Sequence, residues 1–277
     1  MRGWELYRPE RHGLAVLRLF HDTGVGSKSH WAFALCQLGF HDRARRIGAE
    51  ALSLAAELRH INSQAFAMFY AGLIVSFIGR EHSALSEYAA RLRAIGQQHG
   101  MPQWAAWGRA FGAVSAVASG FGSLALNEIT EAISDCEAIQ CHVFRPTHLT
   151  IVALAELAVG RVEQAVATTA RALEIAERTG EHWLSAETWR LRGDALTALN
   201  RMEDAEECFQ RALGTARSQS ARCFEVRTAT SLARLWRDQG KVQQARELLA
   251  PVYGWFTEGF DTRDLKEAKA LLEQLSS

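Results

Sequence analysis

Four arginines in the C-terminal half carry the clearest potential for chemistry. Arg227, Arg234 and Arg237 recur at helical spacing, and Arg190 precedes them by about one helical hairpin. A guanidinium group binds a carboxylate through two parallel hydrogen bonds, so this group predicts a site for an acidic peptide or a C-terminus. The alternative is pairing inside the chain, with the acidic residues Glu187, Asp194, Glu225 and Asp238.

A second candidate is the stretch from Gly24 to Ser29, whose glycines, Lys28 and Ser29 resemble a phosphate-binding loop. That motif requires Gly directly before the Lys, and Ser27 stands there. It also requires a preceding strand, and none is evident. We expect this stretch to begin the first helix instead.

A third candidate is the group Cys136, Cys141, His142 and His148, which lies within 13 residues. Cysteine and histidine are zinc ligands, but the spacing C-x4-C-H-x5-H is unusual for a zinc site. We expect a core thiol at Cys136 and a surface histidine at His148. The chain shows no HExxH or triad pattern, so we predict no catalytic residue, metal or cofactor, and no enzyme activity.

The composition narrows the function class. The 277 residues carry 31 basic and 31 acidic side chains, which argues against a nucleic-acid or anionic-membrane partner. The least charged stretch, from Ala110 to Leu126, is too short for a membrane span. The first nine residues lack the pattern of a signal peptide, and the five cysteines have no disulfide framework. We therefore expect a cytoplasmic protein with reduced, mostly buried thiols.

Small residues recur with a period of about 40 and indicate an internal repeat. The anchor positions are Ala44, Ala84, Ala125, Ala165, Ala205 and Ala245. Five residues before them stand Gly39, Gly79, Gly120, Gly160, Asn200 and Gly240. Seven residues after them stand Ala51, Arg91, Ala132, Ala172, Ala212 and Val252, with Arg91 as the exception.

Two antiparallel helices approach closely only where small side chains meet, and Gly or Asn accepts the positive φ that ends a helix. The period therefore predicts an all-α, right-handed solenoid of about six helix-turn-helix repeats over residues 25–261. Residues 1–24 fit no repeat and form a predicted lead-in. Residues 262–277 form a predicted capping helix, whose leucines make one apolar stripe while Arg263, Asp264 and Glu267 face away.

This pattern resembles the tetratricopeptide repeat family over residues 25–260. The segment Ser231–Leu272 also resembles a narrower group, the large bacterial signalling proteins that combine a class III adenylate or guanylate cyclase domain, an ATPase domain and tetratricopeptide repeats. It is similar to the C-terminal region of those proteins. "PERH" at Pro9–His12 and "HDTGV" at His21–Val25 are similar to the lead-in of that region, although Thr23 replaces its usual Pro. The resemblance covers only the regulatory region and implies no cyclase activity.

In the tetratricopeptide family, positions on the first helices line a concave groove. In this chain, the residues at these positions predict a groove with an apolar half and an arginine-rich half. We expect a protein or peptide partner, such as an ATPase or cyclase region, to bind in this groove. The groove residues are Phe66, Phe69, Phe77, Trp107, Arg190, Asp194, Arg227, Arg234 and Arg237. Two alternatives stay open: a small-molecule sensor in the same groove, and aromatic side chains that serve only as core between repeats.

Overall fold

The structure, a computed structural model, describes residues 7–8 and 20–276, and these form thirteen helices and no strand when Ile61–Ile78 is counted as one helix. The predicted all-α solenoid is confirmed. The predicted lead-in falls largely outside the described residues, as does Pro9–His12. The helices are α1 (Thr23–Gln37), α2 (His41–Leu58), α3 (Ile61–Ile78), α4 (His82–Gln98), α5 (Pro102–Ala118), α6 (Gly122–Ala138), α7 (Arg145–Ala158), α8 (Val162–Thr179), α9 (Ser185–Ala198), α10 (Met202–Ser218), α11 (Arg222–Asp238), α12 (Val242–Gly254) and α13 (Arg263–Gln274).

The helices form six consecutive pairs, from α1 with α2 to α11 with α12, and each helix packs on the next. Connections within this array are only two to six residues long, so long helices account for most of the 40-residue period. An eight-residue connection leads to α13, which packs on α11 and α12. There α13 buries Leu265, Ala268 and Leu271, so it covers the apolar face that the last repeat would otherwise expose.

Local interactions define the ends of the helices. The Asp22 carboxylate accepts hydrogen bonds from the backbone N–H groups of Gly24 and Val25, which otherwise have no partner at the start of α1. Gly24–Ser29 therefore begins a helix, and Lys28 pairs with Glu50. Pro102 is the first residue of α5, and Gly180 ends α8 in the left-handed conformation.

The second repeat contains one residue more than the predicted spacing between Ala44 and Ala84 allows. Helix α3 has 18 residues, whereas the equivalent α5 and α11 have 17 each, and its middle, Met68–Ile74, is π-helical. A π turn closes its hydrogen bonds over one more residue than an α turn, so it accommodates the extra residue without breaking the helix.

This insertion shifts the anchor positions of the second repeat by one, so their predicted assignment is wrong. Gly79 has φ −71°, and Arg80 adopts the left-handed turn at φ +56°. Leu85, which is fully buried, takes the place of Ala84: its N–H donates to Glu81 as that of Ala44 does to Phe40. The same shift explains Arg91, the exception among the small or apolar residues seven positions after the anchors. The residue at that position of the second repeat is the fully buried Leu92.

In the part of the chain that the structure describes, one helix is long and apolar enough to cross a membrane by length and composition, namely α3, with a mean hydropathy of 1.5. Of that span, 78% is buried inside the fold. It touches α1, α2 and α4, so α3 is a core helix of the array.

Candidate functional site

The two ends of the solenoid are in contact with each other. Arg227 on α11 donates from Nη2 to the carbonyl oxygen of Ile78 at the end of α3, at 2.6 Å. Arg43 on α2 pairs with Glu258 at 2.8 Å. Because the first two repeats meet the last repeat and α13, the concave side encloses an interior rather than an open groove.

Aromatic side chains fill one part of this interior. Phe69 is fully buried, with its ring centroid 4.7 Å from that of Trp107 and 5.3 Å from that of Phe144. The same cluster extends through Phe33, Phe66, Tyr70, Phe77, Trp104, Phe111 and Trp183. Rings from the first helices and from two inter-repeat connections therefore pack together in this interior.

The remaining part of the interior is a cavity of about 920 Å³. Helices α5 and α7 give it an aliphatic wall made of Val114, Val117, Ile151, Leu154 and Leu157. Helices α9, α11 and α13 give it a charged wall that includes Arg190, Asp194, Arg227, Arg234, Asp264 and Glu267. The cavity thus combines apolar surface with convergent polar groups, as ligand sites in proteins generally do.

The inner charged wall is a closed network of ion pairs. Arg190 donates to both oxygens of Glu187, at 2.9 and 2.7 Å, and also pairs with Asp194. Glu187 lies 3.4 Å from the Nη1 atom of Arg227 as well. Burial alone would raise the pKa of Glu187, but the two guanidinium groups outweigh it and lower that pKa, so this carboxylate stays ionised.

The outer charged wall centres on α13. Glu267 pairs with three guanidinium groups, those of Arg80 at 3.3 Å, Arg234 at 3.0 Å and Arg263 at 2.7 Å. Asp264 binds Arg80 at 3.0 Å and Arg227 at 2.7 Å. Burial acts to raise the pKa of Asp264, but these two arginines dominate and hold it at about 2.

Of the predicted groove residues, five line the cavity: Phe77, Arg190, Asp194, Arg227 and Arg234. Phe66, Phe69 and Trp107 do not line it, because their rings pack against the protein's own aromatic cluster. Arg237 lies outside the lining as well and bonds to Asp238 and Gln274. All four arginines pair inside the chain, as in the alternative, but not always with the expected acids. Arg234 pairs with Glu267, and Glu225 pairs with Arg217 and Arg222 instead.

The acidic residues of α13 were misplaced by sequence periodicity. Asp264 is 5% exposed and Glu267 is half-buried, although both were expected to face away from the array. Arg80 and His82, which also line the cavity, were not predicted at all. No local signal marks them, because they reach the site through the contact between the two ends of the chain.

The Cys/His group differs from expectation at one residue. Cys136 is a buried thiol, but His148 is 2% exposed rather than on the surface. Its Nε2 atom has no hydrogen-bond partner among the described residues, and burial lowers its pKa to about 4. Within residues 7–8 and 20–276, no group of three His, Cys, Asp or Glu side chains is placed to hold a metal ion.

Comparison with known proteins agrees with this architecture. The profile of the tetratricopeptide repeat family matches residues 145–218, which span α7 to α10. No curated protein matches the chain.

Several solved structures share the fold at low sequence identity. A Rap protein complexed with competence and sporulation factor has a TM-score of 0.60 at 14% identity, and covers 91% of this chain and 79% of its own. The apo form of RapI has 0.59 at 13%, with 90% and 85% covered. Aspartyl phosphate phosphatase F from Bacillus subtilis has 0.53 at 13%, with 100% and 76% covered. The chain is thus a tetratricopeptide-like helical solenoid with the overall fold of these proteins.

Proposed function

We propose that this chain is a regulatory binding module that holds a segment of a protein or peptide partner in its interior cavity. The observation that carries the proposal is the pairing of an aliphatic wall on α5 and α7 with a guanidinium-rich wall on α9 and α11. A peptide segment offers both complements, namely apolar side chains and carboxylates.

The size of the cavity limits what can enter it. About 920 Å³ is typical of sites for compact ligands and is far too small for a folded domain. A protein partner would therefore insert an extended segment, while its remainder stayed outside. The solved complex of a Rap protein with competence and sporulation factor supports this idea, because that protein has the same fold with a bound partner.

A small-molecule sensor is the second candidate function. It is favoured by the contact between the chain ends, which encloses the cavity with polar bonds such as that of Arg227 to Ile78. A metabolite could be surrounded there on most sides, as small ligands are in their sites.

The proposed context is a bacterial, cytoplasmic signalling system of the cyclase or ATPase type. Its support is the sequence resemblance of Ser231–Leu272, a segment that includes α12 and the first ten residues of α13. In that context the module would restrain or report on a catalytic partner through the occupant of its cavity.

The experiment that tests the binding function is affinity capture from source-cell lysate, read by mass spectrometry. Arg234→Glu is the informative variant, because Arg234 lines the cavity yet is 43% exposed, so we expect the variant to fold. Arg211→Glu is the matched control: Arg211 also pairs with one glutamate, but away from the cavity.

We expect one partner to be captured by the wild type and by Arg211→Glu, and to be lost with Arg234→Glu. A catalytic partner with cyclase or ATPase domains would support the proposed context. Equal capture by all three proteins would contradict binding in the cavity. Capture by none, together with a small molecule that copurifies with the wild type in native mass spectrometry, would favour the sensor.

A further inference from the structure

We propose that the cavity selects an apolar chain that ends in a carboxylate, and that Arg234 and Arg263 bind this carboxylate at its outer rim. The inference rests on the proposed function in one respect, that the cavity is a binding site. It adds the chemical class of the ligand and the residues that recognise it.

The ion pairs of the charged wall leave an excess of positive charge. Guanidinium groups outnumber the carboxylates paired with them by one. The cations are Arg80, Arg190, Arg227, Arg234 and Arg263, and the anions are Glu187, Asp194, Asp264 and Glu267. Asp238 also lines the cavity, so the lining itself holds five arginines and five carboxylates, and the excess arises because Asp238 is paired with Arg237 outside the lining. His82 adds no charge at neutral pH, because burial, with Arg263 and Arg80, lowers its pKa.

The excess positive charge lies on the outer arginines, Arg234 and Arg263. The inner arginines are fully engaged, since Arg190 and Arg227 each bond to two carboxylates and are nearly buried. The outer arginines share a single carboxylate, Glu267, to which Arg234 bonds through Nη2 and Arg263 through Nε. Their side chains are 43% and 51% exposed, so each retains N–H donors that can reach a ligand.

The opposite wall of the cavity offers apolar surface. Val117, Leu154 and Leu157 line the cavity and are only partly buried, so each keeps apolar surface in contact with the interior. An apolar chain that covers them gains the free energy of removing that surface from water. A basic head group would be repelled by the excess guanidinium, whereas a carboxylate neutralises it through charge-assisted hydrogen bonds.

Two sources can supply this chemistry: the C-terminus of an apolar peptide and a medium-chain fatty acid. Isothermal titration calorimetry on the full chain distinguishes them. The probes are an N-acetylated pentapeptide of leucine and alanine, the same peptide as its C-terminal amide, decanoate, and decanol as its uncharged match.

We expect one carboxylate probe to bind and its uncharged match to bind at least about 10-fold more weakly, as is typical for loss of a charge-assisted hydrogen bond. The probe that binds identifies the source. Arg234→Gln should weaken the carboxylate probe by a similar factor. Arg211→Gln, an exposed site away from the cavity, should leave its affinity unchanged.

Equal affinity for charged and uncharged probes, lost in Leu154→Asn, would overturn carboxylate recognition while leaving the cavity as a binding site. Absence of binding by all four probes would also overturn the inference. The proposed function is tested separately, by the affinity-capture experiment. Thermal unfolding of each variant verifies that it is folded.

Discussion

The guanidinium of Arg227 binds the carboxylate of Asp264 through two donors, Nε at 3.0 Å and Nη2 at 2.7 Å from Oδ2. The two side chains are only 7% and 5% exposed. Arg227 also donates to the carbonyl oxygen of Ile78, so one guanidinium joins α3, α11 and α13. This pair therefore connects the two ends of the solenoid at the wall of its cavity.

Removal of one partner of this pair should destabilise the fold strongly. Asp264→Ala leaves the buried Arg227 without its main counter-charge, and broken buried pairs cost about 3–5 kcal/mol. Urea unfolding measures the change. Asp204→Ala, which breaks the exposed pair with Arg201, should cost no more than about 1 kcal/mol. Similar losses in both variants would contradict a buried connection.

The shifted register of the second repeat predicts that substitution of Leu85 lowers stability more than substitution of Ala84. The anchor positions assigned from the sequence predict the opposite. Leu85 is fully buried, so Leu85→Ala should cost about 2–5 kcal/mol of unfolding free energy through the cavity it leaves. Ala84 is partly exposed, so Ala84→Leu should change stability by less than about 1 kcal/mol. If Ala84 were the close-contact position, Ala84→Leu would instead be the damaging substitution.

Stability should fall as the pH drops from about 6.5 towards 4, in part because of His148. Its pKa is about 4 in the fold, against an ordinary value of about 6.5 in the unfolded chain. Between these values the unfolded chain binds the additional proton, so the unfolding free energy rises with pH by at most about 1.4 kcal/mol per unit. The stabilisation is complete above about 6.5.

His148→Leu removes this titration and should flatten the pH dependence of urea unfolding in that range. The exposed His142 provides the control, since His142→Gln should leave the slope as in the wild type. His41 and His82 also have lowered pKa values, so a residual slope is expected in every protein. A slope in His148→Leu equal to that of the wild type would refute the assignment.

Two helical glycines should respond to alanine in opposite directions. A Cβ atom at Gly96 would lie 2.5 Å from the backbone nitrogen of Ala105, so Gly96→Ala forces α4 and α5 apart and should lower the melting temperature. A Cβ atom at Gly214 meets nothing within 4 Å. Gly214→Ala should therefore stabilise α10 by about 0.5–1 kcal/mol, because alanine has the higher helix propensity. An equal loss of stability in both variants would contradict this packing.

Much of the array could be predicted from local patterns. Pro102, Gly180 and the small residues every 40 positions mark helix ends and close contacts, because their effects act within a few residues of backbone. The inserted residue of α3 could not be predicted from these patterns. Glycine at position 79 and alanine at position 84 satisfied the pattern, while the π turn moved the true turn to Arg80 and the true anchor to Leu85.

A solenoid of six helix pairs, with an apolar and an arginine-rich stretch of first helices, follows from the local pattern of residues. The contact between the two ends of the solenoid, in which Arg80 binds Asp264 although 184 residues separate them, is visible only in the folded chain. No local pattern predicts this contact, because the small rotation at each repeat adds up along the array, and the place where the two ends meet depends on every interface between them. That closure turned a predicted groove into a cavity, filled part of it with Phe69 and Trp107, and brought Glu267 among three arginines.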